Sequence, residues 1–407
     1  MLTSERLAMT AAPASLIKEV TLRGFLSFAP AAASMKLTSL NVVIGPNGSG
    51  KSNLIEALSV LRAVPKDLPL PIRRGGGVSE WLWKDAREEQ ADHASIEVLF
   101  AENTIAQSPG PAVRYRLAFG AQADNFVVLD ERIENEKPSS TNAKAYFYFG
   151  YENGRPMLNI KSEQRELKRA DIDPTQSILS QRRDPDTYPE LTRVADLLGK
   201  IVIYRSWEFG PDSALRASCL PDVRTDILSE RFDNLPARLA ALKRTVAVKR
   251  RMLQFLADLA PGFDDIEVIP EGGQLQLYLS ERGRMFPARR LSDGTLRFLA
   301  LLAILLDPSP GPLIAIEEPE LGLHFDMMPK IAELLRDAAT RTQLIVTTHS
   351  DALIDALNDT PESVMVCEKD RDGTRVRRLR ADELKEWLHK YSLGTLWTRG
   401  DIGGTRW

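Results

Sequence analysis

One segment of the chain has the residue types and spacing of a phosphate-binding loop. Residues 45–52 read GPNGSGKS, fit the pattern G-x-x-x-x-G-K-[ST], and lie between an apolar strand-like run and a helix-like run. The glycines let the backbone fold tightly, so that N–H groups and the helix start point at anionic oxygens. We predict that Lys51 brings positive charge to the β- and γ-phosphates and that Ser52 offers its hydroxyl to Mg²⁺. The predicted nucleotide-binding residues of this loop are Gly45, Pro46, Asn47, Gly48, Ser49, Gly50, Lys51 and Ser52.

Two adjacent carboxylates end a second apolar run, LIAIEE at residues 313–318. Ligands of open α/β sheets bind at the carboxyl ends of the strands, which is where these side chains would lie. We predict that Glu317 lies near Mg²⁺ through the water shell of the ion, so the predicted metal-binding residues are Ser52 and Glu317. Glu318 is predicted to orient or deprotonate the water that attacks the γ-phosphate. The alternative is a pair of surface glutamates that happens to follow a strand.

A second candidate phosphate site lies at LSDGT, residues 291–295, where another helix is predicted to begin. Helix N-termini bind anions, and the phosphate loop already supplies one such start. A second start in the same chain indicates a nucleotide held between two copies, whereas the alternative is an ordinary helix cap. The predicted nucleotide-binding residues of this stretch are Ser292, Asp293, Gly294 and Thr295.

A histidine follows the apolar run QLIVTT, which is predicted to be a strand beside the one that ends in Glu318. We predict that this residue, His349, donates a hydrogen bond to the γ-phosphate, although a lone histidine is more often structural. Lys51, Glu318 and His349 are therefore the predicted catalytic residues.

Strands and helices must position these side chains, and the coarse pattern predicts an α/β fold. Strand-like runs between residues 95 and 160, with Asn153-Gly154 as a hairpin turn, predict an antiparallel sheet. Residues 291–306 and 321–340 are predicted helices. We divide the chain into a disordered leader of residues 1–15, an N-terminal lobe of 16–160, a helical or insertion region of 161–260, and a C-terminal lobe of 261–407.

The middle of the chain contains a polar stretch and a long predicted helix. Residues 164–189 are charged and broken by prolines, which predicts a mobile insertion. Residues 235–260 keep an apolar spacing of threes and fours and are predicted to form one helix with a single apolar stripe. Basic residues on this helix form a candidate DNA-binding band, for which a solvated helix face is the alternative. The band consists of Lys243, Arg244, Arg250 and Arg251, and Arg289 and Arg290 precede LSDGT.

Composition excludes several classes of protein. The chain has 407 residues, a net charge of -3 and a pI near 6.0, so binding of nucleic acid requires a local basic patch. Cys219 and Cys367 form no C-x-x-C pair, which excludes a disulfide framework and a thiolate zinc site and suits a reducing cytoplasm. No apolar run has the length of a membrane span, and the first 15 residues lack the features of a signal peptide. We predict a cytoplasmic protein without membrane contact, with Met9 as an alternative start.

The motifs together resemble a known family. GPNGSGKS, LSDGT, the strand that ends in EEPE with a following LH, and TTHS occur in the order found in ABC-type ATPases of the RecF, SMC and OLD group, including AAA_21 ATPases. The tail, residues 391–407, is similar to the ending of one compact bacterial subgroup. In that family two heads clamp two ATP molecules, each between the Walker A loop of one head and the signature serine of the other.

The resemblance implies a role for each motif. Residues 45–52 would be Walker A, Ser292 to Thr295 the signature acting in trans, Glu317 and Glu318 Walker B, and His349 the switch histidine. It further implies a P-loop NTPase head of ABC type, with a mixed sheet, an antiparallel β subdomain and a helical insertion. The implied cofactors are ATP and Mg²⁺, and the implied assembly is a homodimer.

The sequence departs from the family pattern in three places. Glu317 replaces the more usual aspartate, and its longer arm would shift the metal geometry. LSDGT replaces LSGGQ, which argues against a transporter subunit. Gln90 is a weak candidate for the glutamine of the family's Q-loop.

A second activity is also considered. OLD-type relatives carry an added TOPRIM nuclease, and Glu368, Asp370 and Asp372 superficially fit its carboxylates. The chain after His349 is short of the ~100 residues of an added domain. Asp372-Gly373 is also typical of a hairpin turn, so we favour a hairpin without nuclease activity.

Three functions remain open at this point. The first is a DNA-associated ATPase in repair or anti-phage defence, and the second is a regulatory switch for a separately encoded effector protein such as a nuclease. A transporter ATPase ranks last because its signature differs.

Overall fold

The computed structural model describes residues 15–84, 90–105, 110–138, 144–152, 155–160, 163–167, 172–259 and 261–404. The predicted leader apart from residue 15, the predicted Asn153-Gly154 turn and the last three residues of the tail lie outside these ranges. In chain order the strands are β1 (Ile17–Arg23), β2 (Ala33–Lys36), β3 (Leu40–Ile44), β4 (His93–Phe100), β5 (Val113–Gln122), β6 (Asn125–Asn135), β7 (Phe147–Glu152), β8 (Arg155–Ile160), β9 (Glu163–Glu166), β10 (Val202–Tyr204), β11 (Phe263–Glu271), β12 (Gln274–Glu281), β13 (Arg284–Pro287), β14 (Leu313–Glu317), β15 (Gln343–Thr347), β16 (Val364–Asp370) and β17 (Gly373–Arg378).

The helices connect these strands and cover the sheets. They are α1 (Lys51–Ala63), α2 (Pro69–Arg74), α3 (Ile178–Gln181), α4 (Pro189–Gly199), α5 (Leu235–Lys243), α6 (Val246–Leu259), α7 (Asp293–Leu305), α8 (Met328–Ala338), α9 (Asp351–Asp355), α10 (Ala381–Leu388) and α11 (Leu393–Thr398). No helix among the described residues has both the length and the apolar character needed to cross a membrane.

The described residues form three sheets. A six-stranded sheet has the order β10-β14-β15-β3-β16-β17, with parallel pairs except for the antiparallel pair of β16 and β17. An eight-stranded antiparallel sheet has the order β2-β1-β4-β5-β6-β7-β8-β9, and β11, β12 and β13 form a small third sheet. The predicted α/β fold, with a mixed sheet and an antiparallel subdomain, is confirmed.

The mixed sheet lies between two apolar cores because side chains alternate along a strand. In β3, Val42 and Ile44 pack with the helices of the C-terminal half, whereas Val43 packs with α1 and the antiparallel sheet. Such strands are buried on both faces, which explains their continuous apolar sequences. Their carboxyl ends are the places where polar residues can reach solvent.

The prediction of one long helix over residues 235–260 is wrong. The described part of this segment forms two helices, α5 and α6, with a break between them. At the end of α5, the N–H groups of Arg244 and Thr245 donate to carbonyls three residues earlier, those of Ala241 and Leu242. This tighter turn ends the first helix. The second helix starts with the N–H of Lys249 donating to the Thr245 carbonyl.

Two other predictions need correction. The described part of residues 164–189 packs against the antiparallel sheet instead of forming a polar insertion, and Ile178 and Leu179 are fully buried. The predicted helix over residues 321–340 begins late, because Gly322 has a φ of 74° and α8 starts only at Met328. The predicted domain boundaries stay predictions, although β10, from the predicted insertion region, belongs to the mixed sheet.

Candidate functional site

Three neighbouring parallel strands bring the predicted motifs to one edge of the mixed sheet. The phosphate loop follows β3, Glu317 ends β14, and His349 lies two residues after β15. Because β14 pairs with β15 and β15 pairs with β3, their carboxyl ends are adjacent. The predicted neighbourhood of the strands that end at Glu318 and His349 is confirmed.

The phosphate loop has the backbone conformation that its glycines permit. Gly45, Gly48 and Gly50 have φ values of 151°, 79° and 108°, in the region that side chains disfavour. A Cβ atom on Gly45 would lie 2.1 Å from the Cys367 carbonyl oxygen, so this position also excludes a side chain sterically. The space at Gly48 is open, as a ligand approaching the loop requires.

Lys51 begins α1 and is buried inside the loop. Its Nζ atom donates to the carbonyl oxygens of Gly45 at 2.8 Å and Pro46 at 3.0 Å. Burial lowers the pKa of the ammonium group, and the nearby carboxylates of Glu317 and Glu318 oppose this shift. The loop therefore holds a positive charge where phosphate oxygens would bind.

The hairpin of β16 and β17 supports the loop from outside. The hydroxyl of Thr374 donates to the Ser49 carbonyl at 2.8 Å and lies 2.7 Å from the hydroxyl of Ser27, from which it can accept. The thiol of Cys367 also donates to the Ser49 carbonyl at 3.3 Å. Sequence reasoning missed this support, because the residues are remote in the chain and match no motif.

Glu317 pairs with the loop. Its side chain accepts a hydrogen bond from the Ser52 hydroxyl, and burial raises its pKa. The two residues predicted to bind Mg²⁺ therefore lie together. One hydroxyl and one carboxylate fit an Mg²⁺ ion that takes its other ligands from phosphates and water. Among the described residues, no cluster of three or more His, Cys, Asp or Glu could hold a metal ion.

Glu318 has an unusual backbone, with a φ of 45°. Its N–H donates to the Thr347 carbonyl at 2.8 Å, which ties it to the end of β15. One of its carboxylate oxygens lies 3.6 Å from Nε2 of His349, and both side chains are about one third exposed. Glu318 is also near enough to the loop to act electrostatically on Lys51.

Glu320 is a site residue that sequence reasoning did not single out. Its Oε1 atom accepts from the hydroxyl of Thr348 at 2.7 Å and from the N–H of His349 at 2.8 Å. Burial raises its pKa. The EEPE spacing after an apolar strand is the signal that could have identified it.

The signature stretch lies at the start of α7. The Ser292 side chain caps the helix by accepting from the Thr295 N–H at 3.0 Å, as the capping alternative requires. Asp293 is paired with Arg216 at 2.5 Å, which lowers the pKa of its carboxyl group. Among the described residues, no hydrogen bond or ion pair joins the stretch of Ser292 to Thr295 to the phosphate loop of the same chain.

The predicted basic band is half neutralised. Lys243 pairs with Asp265 at 2.8 Å, and Arg251 pairs with Asp337 at 2.6 Å. The two halves of the band also lie on either side of the break between α5 and α6. The structure thus contradicts one continuous cationic surface on residues 235–260. Arg244 and Arg250 of the band are exposed, as are Arg289 and Arg290 before LSDGT.

The other sequence candidates have structural contacts. Gln90 is exposed, and its amide donates to the Ser79 carbonyl at 2.6 Å. Glu368 accepts from the Gly404 N–H at 2.9 Å, and Asp370 ends β16. The predicted hairpin at Asp372-Gly373 is confirmed by the antiparallel pairing of β16 and β17.

A family model matches most of the chain. Residues 40–355 match the model of AAA_21, described as "AAA domain, putative AbiEii toxin, Type IV TA system". The chain belongs to the AAA_21 family. The predicted membership of the ABC-type RecF and SMC-like group is thereby confirmed.

The relatives of this AAA_21 chain include chromosome partition proteins. It is 31% identical over 94 residues to the chromosome partition protein Smc of Rhodopirellula baltica (strain DSM 10527 / NCIMB 13988 / SH1). The match covers 23% of this chain and only 8% of that much longer protein.

Solved SMC heads share the fold. An SmcHead bound to the C-winged helix domain of ScpA matches with a TM-score of 0.56 at 17% identity, over 90% of this chain and 99% of that one. An Smc head with an extended coiled coil from Pyrococcus furiosus, bound to the C-terminal domain of ScpA, matches with a TM-score of 0.55 at 15% identity, over 92% and 99%. The AAA_21 chain therefore has the fold of an SMC head.

Proposed function

We propose that the protein is an ATP-binding and ATP-hydrolysing head that dimerises when ATP binds. One observation carries the proposal. Adjacent parallel strands bring Lys51, the Ser52–Glu317 pair and the Glu318–His349 pair to one edge of the mixed sheet. These residues could serve as a phosphate cradle, a metal-binding pair and a base, and their proximity supports phosphoryl transfer to water.

The loop residues would bind and orient the substrate ATP. Backbone N–H groups of residues 45–52 and the start of α1 would donate to its phosphates. Lys51 would exchange its two carbonyl acceptors for phosphate oxygens. Ser52 and Glu317 would hold Mg²⁺, which neutralises charge on the phosphates when bound.

The Glu318–His349 pair would act on the reacting atoms. The Glu318 carboxylate would accept a proton from the attacking water, and His349 would donate a hydrogen bond to the γ-phosphate. His349 is held for this role, because Glu320 accepts from its backbone N–H.

Dimerisation would complete the site. Ser292 is exposed at the start of α7, and its stretch is not bonded to the phosphate loop of its own chain in the described residues. We propose that Ser292, Asp293, Gly294 and Thr295 contact the γ-phosphate bound by a second copy. A helix start suits this role because its free N–H groups attract anions.

Mixed dimers test the shared site. Lys51→Ala and Ser292→Arg chains should each be inactive alone, whereas a mixture should regain one intact site and part of the ATPase activity. The control is a mixture of Lys51→Ala with a Lys51→Ala, Ser292→Arg chain, which has no intact site. Restored activity would support the proposal, and its absence where heterodimers demonstrably form would refute the shared site.

DNA is our first candidate for what the head acts on, in repair or anti-phage defence. A cleft of about 700 Å³ beside α1 is lined by five cationic and three acidic side chains, although the chain as a whole is acidic. The cationic members are Arg62 and Arg205, which pair with Glu230 and Glu56 of the same cleft, together with Lys66, Arg74 and Arg231. ATPase activity stimulated by DNA, with a steep salt dependence that Lys66→Gln and Arg74→Gln weaken, would support this role.

An effector protein is the second candidate. Two similar heads are described in complex with ScpA, and two of the four residues of the basic band of this chain, Lys243 and Arg251, are ion-paired. The head would then act as an ATP-dependent switch for a separately encoded protein. A defined protein that co-purifies in the ATP-bound state of Glu318→Gln, and is lost with Lys51→Ala, would favour this candidate over DNA.

A further inference from the structure

Arg297 is a buried cation that none of the motifs explains. It lies on α7, five residues after Ser292, and its side chain is fully buried. Burying a guanidinium is unfavourable unless its charge and its donors are compensated. Burial lowers its pKa to about 10, so it remains protonated at neutral pH. The burial of this charge therefore requires compensating contacts.

The contacts of Arg297 lead to the Walker B strand. Its Nη2 atom donates to the carbonyl oxygen of Glu318. Its guanidinium carbon lies 4.0 Å from the centre of the Trp207 ring and 5.5 Å from that of Phe209. The Nε and Nη1 atoms find no acceptor among the described residues, and the carboxylates of Glu318 and Glu320 are near enough to stabilise the charge. The charge is therefore compensated by aromatic faces and by these glutamates.

Glu318 needs support at its backbone. Its φ of 45° is disfavoured for a residue with a side chain, and neighbouring groups must maintain it. The N–H of Glu318 is bonded to Thr347 of β15, and its carbonyl is bonded to Arg297 of α7. The conformation that aims the carboxylate is thus held from two sides.

Trp207 extends this support to the preceding residue. Its Nε1 atom donates to the carbonyl oxygen of Glu317 at 2.9 Å while its ring stacks on Arg297. Three residues further, the N–H of Gly210 approaches the carboxylate of Asp293 at 3.2 Å. The segment 207–210 therefore contacts both the end of β14 and the start of α7.

We propose that Arg297, held by Trp207, is a positioning residue for hydrolysis, which fixes the backbone of Glu318 and couples it to the helix that begins at Ser292. The inference rests on the proposed ATPase function. Because Arg297 and Ser292 belong to one helix, a displacement of α7 when a nucleotide binds its start also displaces the carbonyl of Glu318. The state of the signature stretch then controls the geometry of the catalytic glutamate in the same chain.

Steady-state kinetics of three variants test this role. Arg297→Met removes the charge and the bond, Arg297→Lys keeps only the charge, and Trp207→Phe keeps the ring but loses the Nε1 bond. We expect kcat to fall by roughly 30-fold or more in Arg297→Met, and less in the other two, while the Kd for ATP stays within about threefold. The matched control is Arg378→Met, since Arg378 is a partly buried arginine whose pKa burial lowers to about 10 and which bonds to a backbone carbonyl, that of Lys36.

A double-variant cycle separates positioning from general stability. If Arg297 acts through Glu318, then Arg297→Met should lower kcat little further in a Glu318→Gln background. Equal proportional losses in both backgrounds would overturn the proposal, as would a wild-type kcat for Arg297→Met. If Arg297→Met does not fold, the same cycle with Trp207→Phe decides. A wild-type protein without ATPase activity would refute the proposed function itself, whereas active wild type with an equally active Arg297→Met refutes only this inference.

Discussion

The Nε2 atom of His349 lies 3.6 Å from a carboxylate oxygen of Glu318, at the ends of two paired parallel strands. The separation is longer than a hydrogen bond, and both side chains remain partly exposed. Glu320 accepts from the backbone N–H of His349, so the main chain of the histidine is fixed beside Glu318.

The first prediction concerns Glu318. Glu318→Gln keeps the size of the side chain but removes the base, so ATP should still bind while hydrolysis falls by ~10²- to 10³-fold. ATP binding by calorimetry, phosphate release, and light scattering in ATP will measure these quantities, and we expect a stalled dimer. Glu333→Gln, an exposed change on α8, is the control. Hydrolysis at the wild-type rate would show that Glu318 is not the base.

The second prediction concerns Glu320. Glu320→Ala leaves the hydroxyl of Thr348 and the N–H of His349 without their acceptor. We expect the free energy of unfolding to drop by about 1–3 kcal/mol, mainly because the hydroxyl of the buried Thr348 would lose its partner. Glu320→Gln retains an acceptor oxygen and should lose less. Urea denaturation of the three proteins checks the order, and equal stabilities of the two variants would contradict the role of the acceptor.

The third prediction concerns pH and Glu131, a carboxyl group buried under the antiparallel sheet. It accepts from the hydroxyl of Tyr115 at 2.8 Å and from the N–H of Ile178 at 2.8 Å, and Ser177 also donates to it. Burial raises its pKa from 4.5 to about 7. The folded protein therefore keeps a proton that the unfolded chain loses, and the contribution of this group to stability is greatest below pH 4.5.

As the pH rises from 4.5 to 7, this contribution is lost, in total by roughly 3 kcal/mol. Glu131→Gln mimics the protonated group, since an amide can donate to Tyr115 and Ser177 and accept from Ile178. The free energy of unfolding of the variant, relative to wild type, should therefore increase between pH 5 and pH 8. Denaturant titrations at several pH values test this, and a difference that is constant with pH would contradict it.

The sequence predicted those parts of the candidate site in which a short motif lies at the end of a single strand. The phosphate loop, Glu317, Glu318 and His349 each follow an apolar run, and parallel pairing brings the ends of such runs together. The mixed and antiparallel sheets followed from the same periodicity. These features depend on residues close in the chain.

The sequence could not reveal contacts made between distant segments. From the sequence alone, Arg297 would be assigned to the exposed surface of a helix. In the structure it contacts Trp207 and the Glu318 carbonyl. The basic band failed for the same reason, because the carboxylates that neutralise Lys243 and Arg251 come from β11 and α8. The long helix breaks where the N–H groups of Arg244 and Thr245 bond to carbonyls three residues earlier. The apolar spacing of the sequence does not reveal such a change of hydrogen bonding.

The last prediction concerns the tail, which reaches the phosphate loop. Gly404 donates its N–H to Glu368 and accepts at its carbonyl from Trp397, each at 2.9 Å. A Cβ atom at this glycine would lie 2.8 Å from a methyl group of Val366 and 3.6 Å from the Cα atom of Gly45. Gly404→Ala should therefore push on Val366 of β16, the strand whose Cys367 bonds to the Ser49 carbonyl of the loop, whereas its contact with Gly45 would be an ordinary one.

A second glycine separates this contact from backbone strain. Gly283 has a φ of 74°, close to the 72° of Gly404, but a Cβ atom there would meet nothing within 4 Å. Both alanine variants should lose about 1–2 kcal/mol of stability through their backbone conformation. Only Gly404→Ala should lose more than this and also bind ATP more weakly, as measured by calorimetry. Equal ATP affinity in the two variants would show that the tail does not support the phosphate loop, since the backbone penalty is common to both.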